Sequence, residues 1–161
     1  MKHVSILVIA SIVSGCATSY VGPTEGPIAK ATFQLEEGLV DGPTVSMFEG
    51  VECEPSEFGE NIGTLWDGNW TEPSTLNFTV NIPADRVLAF EFFHRTSFTG
   101  EMVQEGQFCR HTFAFTPQPG EHYIFTYGAC EYQAIVESTE QPLETMPTTG
   151  RCHSADYVGA Y

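Results

Sequence analysis

Short runs of alternating apolar and polar residues dominate the pattern of this chain. The clearest run is residues 74–82, STLNFTVNI, in which Leu76, Phe78, Val80 and Ile82 alternate with polar neighbours. A period of two places these four side chains on one face of an extended strand. Similar runs, separated by turns rich in Gly, Pro, Asp and Asn, occupy residues 30–38, 44–50, 62–68, 87–98, 107–116, 122–128 and 131–138.

Helical signals are scarce in the same pattern. No window of about twelve residues has a clear period of 3.6, and 15 Gly and 10 Pro interrupt the chain. About seven to nine short strands with little helix favour an all-β fold, an antiparallel β-sandwich, with a barrel as the alternative. We expect the sandwich over residues 29–140 and an irregular C-terminal tail, tied by a disulfide, over residues 141–161.

The segment 82–130 carries a further pattern. A strand follows a Pro-Ala turn, and a later strand ends in Phe-x-Pro-x-x-Gly, with Phe115, Pro117 and Gly120, before an aromatic-rich strand that contains Tyr123. In this order the segment resembles small, largely uncharacterised bacterial lipoproteins whose shared module is a transthyretin-like or immunoglobulin-like β-sandwich. The resemblance implies a fold and no activity.

The first residues have the form of an export signal. A short basic start, Met1-Lys2-His3, precedes an apolar run over residues 4–13. The run has the length of the hydrophobic region of a signal peptide and about half of the ~20 residues that a spanning helix needs. The sequence therefore predicts that residues 1–15 are a signal peptide.

The residues that follow this run are Val13-Ser14-Gly15-Cys16, and they resemble the lipobox of bacterial lipoprotein precursors, with Val13 where that family prefers Leu. The resemblance implies that Cys16 is lipidated on its thiol, becomes the first mature residue and is acylated on its amine. Ala17 stands where Asp implies retention in the inner membrane, so the outer membrane is expected, facing the periplasm, with surface exposure as the alternative. The competing interpretation is an unlipidated signal peptide that leaves Cys16 as a free thiol.

Residues 16–28 are predicted to be the lipidated N-terminus and a flexible tether. The stretch 17–27, ATSYVGPTEGP, is small, polar and rich in Gly and Pro. Fully extended, its residues would span at most about 36–40 Å.

The cysteine count indicates disulfides. With Cys16 assigned to lipid, an even number remains, which in an exported protein indicates two bonds among Cys53, Cys109, Cys130 and Cys152. If the strands that flank the PQPGE turn form a hairpin, a register whose paired positions sum to 239 places Cys109 opposite Cys130. We therefore favour Cys109–Cys130 with Cys53–Cys152. The main rival joins Cys130 to Cys152 and Cys53 to Cys109.

The charge of the mature chain excludes one class of partner. Without residues 1–15 the chain has 146 residues, with 5 basic and 21 acidic side chains, and Lys30 is its one lysine. No basic patch is available to neutralise phosphates, so no nucleic-acid partner is expected. Anionic headgroups would repel this surface, so membrane attachment is predicted through the acyl chains. Five acids cluster without the pattern of a calcium loop, namely Glu49, Glu52, Glu54, Glu57 and Glu60.

Metal and catalytic motifs are absent from the sequence. Four histidines survive maturation, His94, His111, His122 and His153, but the spacings CRH and CH match no common zinc pattern. Neither metal nor any other cofactor is predicted. The chain has no G-x-S-x-G elbow and no Gly-rich phosphate loop, so the expectation is that it is not an enzyme.

Two tryptophans give the best candidate for surface recognition. Trp66 and Trp70 flank the turn Asp67-Gly68-Asn69, where indoles stack on sugars or anchor a partner protein; alternatively, they cap the core. Three functional classes follow. The favoured one is a lipid-anchored structural or protein-interaction module with an envelope protein as partner. The alternatives are a glycan- or cation-binding module that uses the Trp66/Trp70 loop or the acidic surface, and a periplasmic hydrolase.

Overall fold

The computed structural model of the chain describes residues 20–37, 41–53, 58–66, 76–96, 107–128, 130–150 and 153–154. These residues form β-strands and no helix. Eight strands have six residues or more: β1 Ile28–Leu35, β2 Asp41–Glu49, β4 Phe58–Trp66, β5 Asn77–Pro83, β6 Leu88–Thr96, β7 Gln107–Phe115, β8 His122–Gly128 and β9 Glu131–Val136. Four strands have two residues: β3 Glu52–Cys53, β10 Gln141–Pro142, β11 Thr149–Gly150 and β12 His153–Ser154.

The strands form two five-stranded sheets and a small ribbon. The first sheet has the order β10-β9-β8-β1-β5, the second has the order β12-β4-β2-β6-β7, and β11 pairs with β3. Pairing is antiparallel except for β1–β8, β12–β4 and β11–β3. The predicted all-β fold and largely antiparallel β-sandwich are therefore confirmed.

Aromatic rings fill the space between the two sheets. On β8 the side chains of Tyr123, Phe125 and Tyr127 alternate inward and are at most 2% exposed. The ring of Phe125 stacks on Phe33 of its own sheet at 5.0 Å and reaches Phe90 of the opposite sheet at 5.9 Å. Burying each such ring contributes roughly 1.5–3 kcal/mol, so the alternation seen in the sequence is what holds the sheets together.

Strands β7 and β8 do not form the predicted hairpin. β7 pairs with β6, whereas β8 pairs with β1 and β9, so the two strands belong to different sheets. Their aromatic side chains meet across the core, with Phe115 and Tyr123 rings 4.9 Å apart and Phe113 and Phe125 rings 5.5 Å apart. The prediction was wrong because alternation identifies the inward face of a strand but does not distinguish a neighbour from a strand that faces it.

The registers define two ends of the sandwich. At one, the N-terminal end, residues 20–27 precede β1, and Ile28 pairs with Pro83. In the second sheet Glu49 and Phe115 both lie beside Leu88 at this same end. At the opposite end, the disulfide end, Asp41 pairs with Trp66, Gly128 pairs with Glu131, and a disulfide joins Cys109 to Cys130.

The C-terminal segment joins the edges of both sheets. β10 pairs with β9 at the edge of the first sheet, Met146 forms a backbone bridge with Ala114 of β7, and β12 pairs with β4. The sequence predicts an irregular tail here, and the described part contains three two-residue strands, which are too short for a period of two to show. Thr149 donates its N–H to the carbonyl of Val51, which packs on a buried cluster of Phe48, Ala89 and Ala114.

Candidate functional site

Several predicted site residues lie outside the described part of the chain. They include the lipidation candidate Cys16, Trp70 and Cys152. The backbones of Trp66 and Cys53 end β4 and β3, but their side chains are not among those described. Lipidation, the Trp pair and the Cys53–Cys152 bond therefore remain predictions.

The predicted Cys109–Cys130 disulfide is confirmed, and it joins the two sheets. The Cα atoms are 5.4 Å apart. Cys109 is buried on β7, whereas Cys130 sits between β8 and β9 with a positive φ of 63°. His111 donates from Nε2 to the carbonyl oxygen of Cys130 at 2.6 Å, which fixes the turn beside the bond. Two residues that are equally far in sequence from the β7–β8 connection lie at the same level along the sandwich, whether the two strands pair in one sheet or face each other across the core. The disulfide was therefore predicted correctly although the hairpin was not.

Residues 20–27 contact the N-terminal end of the first sheet. The Tyr20 hydroxyl donates to the carbonyl oxygen of Asn81 at 2.8 Å, and Asn81 Nδ2 donates to the carbonyl oxygen of Pro23 at 3.3 Å. The N–H of Ala84 donates to the carbonyl oxygen of Pro27 at 2.9 Å. Burial, reinforced by Glu60, raises the pKa of Tyr20 to about 12, so this hydroxyl keeps its proton at neutral pH.

Gly22 allows this close approach. A Cβ atom at Gly22 would collide with the carbonyl oxygen of Asn81, so a larger residue would push the segment away from β5. The predicted tether of residues 16–28 thus includes a section, from Tyr20 onward, that contacts the sandwich. Sequence reasoning missed this contact; the signal was an aromatic residue and a glycine in an otherwise small, polar stretch.

A groove of about 630 Å³ lies beside this segment. Its lining is mixed, with apolar side chains along its length and Arg86 paired to Glu49 at 2.8 Å. The residues that line it are Tyr20, Val21, Pro23, Met47, Phe48, Glu49, Glu60, Pro83 and Arg86. The side chain of Val21, at the edge of the groove, is 84% exposed.

A second cleft, of about 390 Å³, lies at the disulfide end. Two carboxylates, Glu36 and Glu131, line it together with Tyr132, whose pKa is raised by burial. Among the described residues, however, no group of three or more His, Cys, Asp or Glu side chains is arranged to hold a metal ion. Two acidic residues at an open cleft do not by themselves define a cation site.

A row of hydrogen-bonded polar side chains crosses the outer face of the first sheet. Glu137 Oε2 accepts from His122 Nδ1 at 2.8 Å, and His122 Nε2 is 2.8 Å from the Thr32 hydroxyl. Thr32 is in turn 2.7 Å from the Thr79 hydroxyl. With a neutral imidazole, every donor in the row points the same way, from Thr79 to Thr32, from Thr32 to His122 and from His122 to Glu137.

The order hydroxyl, imidazole and carboxylate is that of an activated nucleophile, but the other parts of such a site are not present around it. Thr32 lies on a central strand whose backbone is engaged with β5 and β8, so its neighbouring N–H groups are not available to an oxyanion. Neither of the two cavities described above includes these residues. The row was not predicted because only the strand register brings His122 and Glu137 together.

A buried carboxylate on β6 is a further feature that the sequence did not reveal. Glu91 is fully buried, and its Oε1 lies 3.6 Å from Nε of Arg110, whose guanidinium stacks on Phe93 at 5.2 Å from the ring centre. Nearby in sequence, the buried His94 faces inward, with Nδ1 3.4 Å from the Tyr127 hydroxyl. A buried carboxylate must be paired to be tolerated, so Arg110 has a structural role beside it.

Comparisons with known proteins do not add a family or a function. No protein-family model, no curated protein and no solved structure matches the chain. Among the described residues there is no helix with the length and apolar character to cross a bilayer.

Proposed function

We propose that the protein is a lipid-anchored lipoprotein of the outer membrane, facing the periplasm, that acts as a structural or protein-interaction module. The observation that carries the proposal is the succession of a basic start, an apolar run over residues 4–13 and the motif Val13-Ser14-Gly15-Cys16. An acylated cysteine explains how so acidic a domain is held at a membrane, since several acyl chains are sufficient for stable anchoring.

The position of the N-terminal segment supports a presentation role. An anchor at Cys16 would lie near the N-terminal end, so the disulfide end would face away from the membrane. At that end the chain leaves β4 at Trp66 and re-enters at Leu76, whose carbonyl oxygen accepts from the N–H of Leu35. This end is the one that an envelope protein would meet.

The mass of the mature protein tests the anchor. Protein extracted from membranes should begin at Cys16 and carry the added mass of a diacylglyceryl group and an N-acyl chain. The Cys16→Ala variant should lose this mass and leave the membrane fraction. A mature N-terminus at Cys16 without acyl mass would overturn the lipoprotein proposal.

The Trp pair tests the interaction role against the glycan-binding alternative. If the rings form a recognition site, Trp66→Ala and Trp70→Ala should leave the unfolding free energy unchanged and abolish capture of a partner or of immobilised glycans. If the rings cap the core, both variants should lower the unfolding free energy by about 3 kcal/mol or more. Loss of glycan binding with retained capture of a protein partner would favour the glycan-binding module.

The row from Thr32 to Glu137 is the observation that keeps a periplasmic hydrolase as the last alternative, after the glycan- or cation-binding module. Under the favoured proposal it is a structural feature of the sheet face. The purified protein should then hydrolyse an activated ester, such as p-nitrophenyl acetate, no faster than the His122→Asn variant does. A rate that falls on both Thr32→Val and His122→Asn substitution would instead support an enzyme.

A further inference from the structure

The contacts of the N-terminal segment limit the distance between the sandwich and an acylated Cys16. Tyr20 is held on β5 through Asn81, and it lies only four residues after Cys16. Four residues span at most about 14 Å when fully extended, compared with about 36–40 Å for a tether of residues 17–27. A domain held so closely is placed beside the bilayer with a defined end towards it.

The surface at this end is suited to a lipid interface. Val21 is 84% exposed and is next to the groove, where Tyr20, Pro23 and Pro83 contribute further apolar area. A tyrosine with an apolar ring and a bonded hydroxyl is a side chain typical of the membrane interface. Val21 lies five residues after Cys16, so an acyl anchor at Cys16 would bring its exposed apolar side chain close to the lipid interface.

The charges of the groove select the kind of lipid. Arg86, half exposed, can contact a phosphate, but it is paired to Glu49, and Glu60 lies in the same groove. Two carboxylates to one guanidinium disfavour an anionic surface and tolerate zwitterionic headgroups such as phosphatidylethanolamine.

We infer that the groove face at the N-terminal end, with Val21 at its tip, lies against a zwitterionic phospholipid bilayer at headgroup depth. This orientation rests on the proposed lipidation of Cys16. Strand β1 has eight residues, so the disulfide end stands at most about 26 Å farther from the bilayer along this strand. The docked segment therefore holds the loops of the disulfide end at a fixed distance from the bilayer, which a long flexible tether would not do.

Site-specific photo-crosslinking to lipid tests the orientation. The full-length lipidated protein is prepared with Val21→p-benzoylphenylalanine, reconstituted in nanodiscs of phosphatidylethanolamine and phosphatidylcholine, irradiated and analysed by intact mass. The matched control is Glu131→p-benzoylphenylalanine, another exposed position, at the disulfide end. We expect phospholipid adducts at Val21 and none at Glu131.

The outcomes separate this inference from the proposed function. Adducts at Glu131 instead of Val21, or at neither position in protein that carries the acyl mass, would overturn the orientation and leave the anchor intact. A mature protein without acyl mass would overturn the anchor itself. A probe at Arg86, in the groove itself, should also form adducts, and adding Gly22→Ala to it should reduce their yield, because this change releases the segment that sets the orientation; an unchanged yield would contradict the role given to the docked segment.

Discussion

The N-terminal end and the disulfide end of the sandwich are closed by different means. At the N-terminal end, an irregular segment is held on the first sheet by three hydrogen bonds, two of them to Asn81. At the disulfide end, the covalent bond between Cys109 and Cys130 joins one sheet to the other. A net hydrogen bond contributes about 0.5–1.5 kcal/mol, whereas a disulfide that closes a loop of this size contributes about 3 kcal/mol.

This difference indicates that the disulfide end contributes to the stability of the sandwich, whereas the N-terminal end serves its attachment. Opening the disulfide end should loosen the contact between the sheets, whereas releasing residues 20–27 should leave both sheets and their core in place. The end proposed to face the membrane is thus the one whose contacts can be weakened without unfolding the domain. The following experiments test this division, in order of decreasing expected effect.

The largest effect is expected at the disulfide end. The double variant Cys109→Ala and Cys130→Ala should lose about 3 kcal/mol of unfolding free energy, because the unfolded chain regains the freedom of the 21-residue separation. Alanine is chosen because a serine hydroxyl at the buried Cys109 would add an unrelated cost. Urea unfolding, monitored by aromatic fluorescence, measures the change. A loss below about 1 kcal/mol would show that core packing alone sets the spacing of the sheets at this end.

The sequence determines the positions of the strands better than it determines which strands pair. Alternation on β5 and β8 predicted strands close to those observed, because one face of β8 is buried and one face of β5 is partly buried, which imposes a period of two. The predicted pairing of β7 with β8 was wrong. Its connection to β8 contains Pro117 and Pro119, which fix φ and lack the N–H that a tight hairpin uses, and the chain crosses to the other sheet instead.

Releasing the N-terminal segment should have a smaller effect. Gly22→Ala should lower the unfolding free energy by about 1–2 kcal/mol, because the added Cβ displaces the segment and breaks its hydrogen bonds to Asn81. Limited proteolysis should cut residues 20–27 faster in this variant, and Thr24→Ala, an exposed change in the same segment, is the control. A loss comparable with that of the disulfide variant would contradict the division between the two ends.

The candidate site was less predictable than the fold. The position of Tyr20 depends on a glycine contact across 59 sequence positions, from Gly22 to Asn81, and the local residues mark the segment without identifying the strand that it contacts. The row of Thr32, His122 and Glu137 depends in the same way on register, since a slip of one residue would turn each side chain to the other face. The cysteine count indicated the Cys109–Cys130 disulfide because paired cysteines leave a mark in composition and spacing, whereas the lipidation of Cys16 stays a prediction.

The pH dependence of the unfolding free energy tests the burial of Tyr20 at the N-terminal end. Tyr20 has a pKa of about 12 in the folded protein against 10.0 for the unfolded chain. Between these two pH values the unfolded chain binds fewer protons than the folded protein. The stabilisation from Tyr20 is therefore fully present below pH 10 and is lost as the pH rises towards 12. The loss should be about 1 kcal/mol after allowance for solvent screening. Tyr20→Phe should remove this part of the alkaline loss, and an unchanged pH profile would contradict the burial of the hydroxyl.

The smallest effect is expected from the polar row, which lies on the first sheet and reaches its N-terminal end at His122. The side chain of Glu137 is 56% exposed, and exposed ion pairs contribute about 0.2–1 kcal/mol. A double-mutant cycle of Glu137→Gln and His122→Asn should therefore give a coupling energy within that range, and the coupling should decrease in high salt when the imidazole is protonated. A coupling energy well above that range would show that water is excluded from this face, as it would be beneath a bound partner or the membrane. Thr44 and Thr64, a hydroxyl pair between β2 and β4 of the other sheet, provide the uncharged reference, which should not respond to salt.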